Sequence, residues 1–268
     1  MLFQRSVGLS AIAVLACLTL GCATAQADPP APAPQQAAAP AATSAQPAVE
    51  PAAREALRRM SAYLGTLQSF RVVADTSADR VYDNGQSLQF NGRVTYDVRR
   101  PNGFVIEMAT DRHTRKLYYD GRSLTLFAPA RGLYATVPAP NTISGTLDLA
   151  WQRHGISVPL EDLFRWSNSL DRRDEALNTG IWVGYARVNG VDTDQYAFQE
   201  NGVDWQVWIR QGDRPVPVRV VVIDAVDPAH PQFVANLTWT ENPSFSDSTF
   251  AFQPPAGAQR ITFLESDD

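Results

Sequence analysis

The chain has 268 residues and a formal net charge of −5, and Lys116 is its single lysine among scattered arginines. This composition provides no basic stripe of the kind that binds nucleic acid. The two cysteines, Cys17 and Cys22, lie in or beside an apolar N-terminal segment. The rest of the chain therefore has no thiol for a disulfide, a zinc-thiolate site or a cysteine nucleophile.

The N-terminal segment has the layout of an export signal, because Arg5 precedes an apolar run over residues 7–21 that is short for a membrane span. Two processing alternatives are open. The window 18–22 resembles a lipobox and predicts a signal over residues 1–22 with acylation of Cys22, and Ala23 then implies sorting to the outer membrane by analogy. The small residues at 25 and 27 instead predict cleavage after residue 27 and a soluble periplasmic protein.

Residues 28–50 consist mostly of Ala, Pro and Gln and have almost no bulky apolar side chains. Such a segment cannot bury enough surface to offset the entropy of ordering, so we expect a disordered tether. Residues 51–265 are then a single domain with room for a sizeable core.

The first predicted element of this domain is an amphipathic helix over residues 51–70. Its apolar residues recur at steps of three and four, and Pro51 stands near its start. The apolar positions are Ala53, Leu57, Met60, Leu64 and Leu67.

After the helix the apolar period changes to two, which indicates β-strands. Asn-Gly or Asp-Gly pairs at 84–85, 102–103, 120–121, 189–190 and 201–202 mark turns between the strands. The alternating segments are 88–98, 104–108, 117–119, 124–126, 196–198, 203–209, 216–222 and 233–239. Short turns and alternation together predict a largely antiparallel sheet with one apolar face.

Between residues 141 and 173 the spacing becomes helical again, and Pro159 divides this stretch into two short helices. Three helices thus accompany the strands. We predict a mainly β (α+β) domain in which a curved antiparallel sheet has its apolar face covered by an N-terminal helix and short lid helices.

No catalytic or metal-binding pattern stands out. The domain's three histidines, at 113, 154 and 230, are far apart, and neither an HExxH nor a G-x-S-x-G motif is present. The pair Asp192 and Asp194 fits a solvated hairpin end. We therefore predict that the protein is no enzyme and uses neither a metal nor a cofactor.

Several strings resemble the LolA/LolB-like superfamily of lipoprotein localisation factors. They are Leu67–Phe70, Arg100–Asn102, Asp120–Gly121 before Leu124, and Phe250–Ala258. Three further strings, Val188 through Ile209, Pro217–Arg219 and Pro231–Phe233, resemble a family of predicted periplasmic proteins of unknown function in that superfamily.

The resemblance implies an unclosed β-barrel whose apolar hollow holds acyl chains under a helical lid, with Arg100 in contact with the lid. The implied ligand is a lipid or an acylated protein, and a protein partner stays unknown. The alternative is a non-transporting envelope interaction or lipid-sensing module. Acyl chains need an apolar wall, and the candidate contacts are Phe90, Phe104, Ile106, Met108, Leu126, Leu147, Trp151, Leu163, Phe164, Trp166, Trp205 and Trp239. These side chains would otherwise pack against one another as a solid core.

Overall fold

The structure is a computed structural model and describes residues 49–161 and 176–263. The described helices are α1 (Pro51–Thr66), α2 (Ile143–His154) and α3 (Asp247–Phe250). The strands in chain order are β1 (Ser69–Val81), β2 (Ser87–Arg99), β3 (Gly103–Thr110), β4 (Thr114–Tyr119), β5 (Ser123–Ala128), β6 (Leu133–Pro138), β7 (Thr179–Val188), β8 (Val191–Glu200), β9 (Val203–Arg210), β10 (Pro217–Asp224), β11 (Gln232–Glu241) and β12 (Gln259–Arg260).

The strands form one 12-stranded sheet in the order β12-β6-β5-β4-β3-β2-β1-β11-β10-β9-β8-β7. Neighbouring strands are antiparallel, except that β12 runs parallel to β6. The two edge strands, β12 and β7, do not pair with each other, so the sheet is not closed into a barrel. The predicted mainly β architecture with an unclosed, curved sheet and an N-terminal helix is confirmed.

The inner face is the one that α1 and α2 cover. The upper end of the sheet contains the β1–β2 turn at residues 82–86, and the lower end contains the β2–β3 turn at residues 100–102. Helix α1 runs across the inner face from β7 to the lower end of β1 and buries its apolar stripe there: Ala53, Leu57, Met60 and Leu64.

The predicted end of the first helix is wrong. Helix α1 ends at Thr66, Leu67 is already extended, and β1 begins at Ser69. Strand β1 lies in the middle of the sheet and pairs with β2 on one side and with β11 on the other. Phe70 takes part in both pairings, so its backbone belongs to a ladder that a helix would break.

Four strands were not predicted: β1, β6, β7 and the two-residue β12. β1 has a polar upper half, β7 contains two glycines at 180 and 184, and β6 is six residues long, so none of them shows a clear alternation. The helix predicted before Pro159 is confirmed as α2, with Thr142 as its N-cap, since the Thr142 side chain accepts a hydrogen bond from the Gly145 N–H. The helix predicted after Pro159 lies mostly outside the described residues.

The outer face of the sheet is covered at β3–β6 by the C-terminal segment. The Phe252 ring packs at 5.0–5.3 Å from the rings of Tyr118, Phe127 and Tyr134. Phe250 is buried against Gly103, where a Cβ atom would lie 3.2 Å from its ring. The Phe-Ala-Phe string at 250–252 thus fastens the chain end over one edge of the sheet before β12 pairs with β6.

Candidate functional site

The lower part of the inner face is densely packed. Side chains from β1 to β5 meet those of α1 and α2 in one apolar cluster, and the largest of them have no exposed surface. Phe104 and Ile106 on β3 are both 0% exposed, and the Phe104 ring lies 5.1 Å from the ring of Tyr119. The two helices therefore fill this part of the face.

Two buried tyrosines hold the segment that follows β6 onto the inner face. The Tyr119 hydroxyl donates to the Pro140 carbonyl and the Tyr96 hydroxyl donates to the Pro159 carbonyl, each at 2.5 Å. Burial raises the pKa of both hydroxyls, so they stay protonated and keep donating across the ordinary pH range. Helix α2 lies between these two fixed points.

The predicted lipid contacts fall into two groups. Phe104, Ile106, Leu147 and Trp205 are buried in the core, in agreement with the alternative of a solid core for these four. Five others are only partly buried and surround that core: Phe90, Met108, Leu126, Trp151 and Trp239. Leu163, Phe164, Trp166 and the proposed lipidation site Cys22 lie outside the described residues. The lipid-binding role of each residue stays a prediction.

The upper end of the inner face carries a continuous apolar row across six neighbouring strands. Cross-strand partners lie on the same face of a sheet, and the pairings that link β2, β1, β11, β10, β9 and β8 connect one residue of each. We call these residues the upper row: Phe90, Ala78, Phe233, Val222, Trp205 and Phe198. The first four are partly exposed, whereas the last two are buried.

The two ends of the upper row differ. At β8, Phe198 stacks on Trp205 with ring centroids 4.4 Å apart, and Gly180 of β7 lies so close that a Cβ atom would be 2.8 Å from the Phe198 ring. At β2, Phe90 has the guanidinium groups of Arg112 and Arg80 over its ring at 5.1 and 6.0 Å. At β8 the row is therefore closed by tight packing, whereas at β2 it ends beside two exposed arginines.

An ionic cluster fastens α1 to the lower end of the sheet. Glu241 accepts hydrogen bonds from the Tyr63 hydroxyl and, at 2.6 Å, from Nη2 of Arg210. Burial by itself would raise the pKa of Glu241, but the hydrogen bonds from Tyr63 and Arg210 outweigh it and lower the pKa. Sequence reasoning missed this cluster, since its members lie far apart in the chain and share no motif.

Arg100 is a half-buried cation at the lower end. Its Cζ atom lies 5.9 Å from the centroid of the Phe70 ring, and neither Nε nor Nη2 has a hydrogen-bond partner among the described residues. Burial lowers the pKa of the guanidinium, yet an arginine keeps its charge in proteins. The lid contact predicted for Arg100 is not tested by the described residues.

A small cavity of about 50 Å³ lies between α1 and the β8–β10 region. Its lining includes Arg59, Asp194, Tyr196 and Arg210. This volume holds a few water molecules and is too small for an acyl chain.

Two further features bear on function. Within residues 49–161 and 176–263, no three His, Cys, Asp or Glu side chains come together as metal ligands would. No helix in the same described ranges has the length and apolar character needed to cross a bilayer.

The predicted lipid contacts did not include Val222 and Phe233 of the upper row, although the apolar alternation in their strands indicated that they face inward.

Comparisons with known proteins give one family and a group of structures. A family model for a predicted periplasmic protein (DUF2092) matches residues 53–264. No curated protein matches the chain.

Solved structures similar to this chain include LprF from Mycobacterium bovis, with 14% identity over 79% of this chain and 100% of that one and a TM-score of 0.45. The lipoprotein LppX from Mycobacterium tuberculosis has 15% identity over 73% and 98% of the two chains and a TM-score of 0.45. A LolA superfamily protein from Nitrosomonas europaea has 12% identity over 75% and 97% of the two chains and a TM-score of 0.36.

Proposed function

The chain belongs to the DUF2092 family of predicted periplasmic proteins, and from that premise we propose that it binds a lipid or the acyl chains of a lipoprotein along the upper row. The proposal covers binding and transfer and includes no catalytic step. Membership of a family of predicted periplasmic proteins also agrees with the export signal that the N-terminal sequence predicts.

The observation that carries the proposal is the contrast in burial along the inner face. Most side chains on the lower part, such as Phe104 and Ile106, are buried under α1 and α2, whereas Phe90, Ala78, Phe233 and Val222 of the upper row keep part of their surface exposed. Exposed apolar side chains on an otherwise covered face favour an apolar ligand, because binding removes their surface from water.

The dimensions of the upper row suit an acyl chain. Neighbouring strands are spaced by roughly 4.8 Å, so a row across six strands extends for roughly 24 Å. Each Å² of apolar surface that a ligand covers contributes roughly 25 cal/mol. A hydrocarbon chain that lies across the strands therefore gains from contact with the four partly exposed members of the row, Phe90, Ala78, Phe233 and Val222, which span roughly 14 Å of it.

The charges at the β2 end suggest an orientation for the ligand. Arg80 and Arg112 flank Phe90 there, whereas Phe198 and Gly180 close the row at β8. A polar or anionic head group would lie at β2 beside the two guanidinium groups, and the end of the hydrocarbon chain would point toward β8.

A fluorescent fatty acid tests the proposal on purified protein that starts at residue 23. We expect retention of the probe at micromolar concentration and a loss of about tenfold in affinity, or about 1.4 kcal/mol, for Phe233→Ser. The matched control is Val234→Ser, because Val234 is the next residue of the same strand and points to the outer face. Absence of retention, or an equal loss in both variants, would contradict the proposal.

The alternative is an envelope interaction module that transports nothing. The dense packing of Phe104, Ile106 and Leu147 favours it, because these predicted ligand contacts are already satisfied by other side chains. The fatty-acid measurement separates the two functions, since a solid inner face retains no probe.

A further inference from the structure

Strand β7 exposes an apolar surface at the edge of the sheet. Four of the eight large apolar residues that are exposed in the described part of the chain lie within residues 181–185. They are Ile181, Trp182, Val183 and Tyr185, with 41%, 41%, 48% and 78% of their surface exposed. We call these four residues the β7 patch.

A bulge in β7 brings the two aromatic members of the patch together. The pairing with β8 shifts register between Trp182 and Gly184, and Gly184 has a positive φ of 149° that suits glycine. In a regular strand, residues 182 and 185 would point to opposite faces. Here the rings of Trp182 and Tyr185 meet edge to face at 5.3 Å, so both lie on one side.

The N-terminal part of the chain joins the domain at the same strand. Val49 forms a parallel bridge with Gly180, the Glu50 N–H donates to the Gly180 carbonyl at 2.8 Å, and the Glu50 carboxylate accepts from the Trp182 N–H at 2.9 Å. The sequence places 26 residues between Cys22 and Val49. Any membrane anchor at Cys22 is therefore linked to the domain beside the β7 patch.

The composition of the patch suits the interfacial zone of a bilayer. Trp and Tyr place an apolar ring and a polar group at the boundary between hydrocarbon and water. The charges next to the patch have both signs, with Arg187 3.5 Å from Asp192 and the Trp182 indole N–H donating to Asp194 at 3.3 Å. Attraction to the surface would thus come from apolar contact and not from net charge.

We infer that the β7 patch docks onto the lipid interface of the envelope membrane that an anchor at Cys22 would use, with the Trp182 and Tyr185 rings in the head-group zone. The inference rests on the proposed function, because this membrane would be the source or the acceptor of the acyl chain in the upper row.

The test uses the chain from residue 23 onward, which has no acyl group, and vesicles of phosphatidylethanolamine with phosphatidylglycerol. We expect the wild type to float with the vesicles. The double variant Trp182→Ser with Tyr185→Ser should lose at least about fivefold in the bound fraction, equivalent to about 1 kcal/mol. Raising the ionic strength from about 0.1 to about 1 M, which shortens the Debye length to about 3 Å, should change binding little.

A matched control is the double variant Tyr82→Ser with Val226→Ser, which removes two exposed apolar residues, 42% and 67% exposed, outside β7. It should bind vesicles as the wild type does. The inference is overturned if the wild type does not float, if the two double variants lose binding equally, or if binding disappears at high salt. A further outcome also overturns the inference: the wild type is a dimer that does not bind vesicles, and the β7 double variant is a monomer. The patch would then be the contact surface for a second copy of the chain.

Fatty-acid retention by the same proteins keeps the two proposals apart. The β7 double variant should retain the probe as the wild type does, because the patch lies outside the upper row. Probe retention without vesicle binding overturns the docking inference alone. Vesicle binding without probe retention overturns the proposed function and leaves the docking surface intact.

Discussion

The two ends of the inner face have the same apolar alternation but different surroundings. At the lower end, α1, α2 and the buried tyrosines cover most inward side chains, and Phe104 has no exposed surface. At the upper end, Phe90 and Phe233 occupy equivalent inward positions and stay partly exposed. An apolar residue at an inward position thus contributes mainly to stability where α1 or α2 covers it. We expect it to be available to a ligand where neither of these two helices does.

The largest effect expected from this contrast is on stability at the lower end. Phe104→Ala should reduce the free energy of unfolding by about 3–5 kcal/mol, because it leaves a cavity between β3, β4 and α2. Urea denaturation followed by circular dichroism measures the change. A loss below about 1 kcal/mol would show that the lower face is not packed as described.

Disruption of the ionic cluster around Glu241 should have the next largest effect on stability. Glu241→Gln should cost about 1.5–3 kcal/mol at pH 7, because it weakens charge-assisted hydrogen bonds from Tyr63 and Arg210. The partly exposed pair of Glu107 and Lys116, 2.7 Å apart, offers a control: Glu107→Gln should cost less than about 1 kcal/mol. Urea titrations of both variants provide the comparison.

The stability difference between the wild type and Glu241→Gln should depend on pH, because the pKa of Glu241 is lowered in the folded protein. A carboxylate whose pKa is lower in the folded than in the unfolded state stabilises the fold above the unfolded pKa of about 4.3, and this contribution is lost as pH falls through the folded value. The stability difference between wild type and Glu241→Gln should therefore shrink below about pH 4. A constant difference from pH 7 to pH 3 would contradict the assignment.

Substitution of Arg100 should change the free energy of unfolding by a smaller amount and in the opposite direction. Arg100→Met removes a half-buried charge whose Nε and Nη2 have no hydrogen-bond partner among the described residues, so the free energy of unfolding should rise by about 1 kcal/mol. Arg99→Met is the control, because Arg99 is paired with Asp247 at 2.5 Å and its loss should lower stability slightly. A destabilised Arg100→Met variant would instead indicate a partner outside the described residues, which the predicted lid contact requires.

The smallest change in stability is expected in the upper row. Phe90→Ala should cost less than about 1 kcal/mol of folding free energy, since the ring is only partly buried, yet it should weaken fatty-acid binding several-fold. Thermal unfolding and probe titration on the same sample separate the two effects. Equal losses of stability in Phe90→Ala and Phe104→Ala would contradict the difference in burial between the upper and lower ends of the inner face.

Much of the fold could be predicted from the sequence. Alternation was clear in β2–β5 and β8–β11, where most inward residues are large, and Asn-Gly or Asp-Gly pairs marked the β1–β2, β2–β3, β4–β5, β7–β8 and β8–β9 turns. It failed for β1, where small or polar residues such as Thr76 and Ala78 occupy inward positions, and for β7, where a bulge at Gly184 breaks the period. The alternation of apolar residues shows which face of a strand is apolar, but it does not show what covers that face.

The site was predictable only in part for the same reason. Phe90, Phe104 and Trp205 all had the correct face, but their exposure depends on where α1 and α2 lie, which no local pattern contains. The cluster around Glu241 includes Tyr63, 178 positions away, and the Glu50 carboxylate meets the Trp182 N–H beside the β7 patch across 132 positions. Such contacts appear only once the sheet order is known.

The most direct test of acyl-chain binding is mass spectrometry of the protein extracted gently from its own envelope, first in native and then in denatured form. We predict a native mass that exceeds the denatured mass by that of a bound lipid or acylated ligand, and the denatured mass will also show whether the chain begins at an acylated Cys22. A native mass equal to the denatured mass after mild detergent exchange would contradict lipid binding by the upper row.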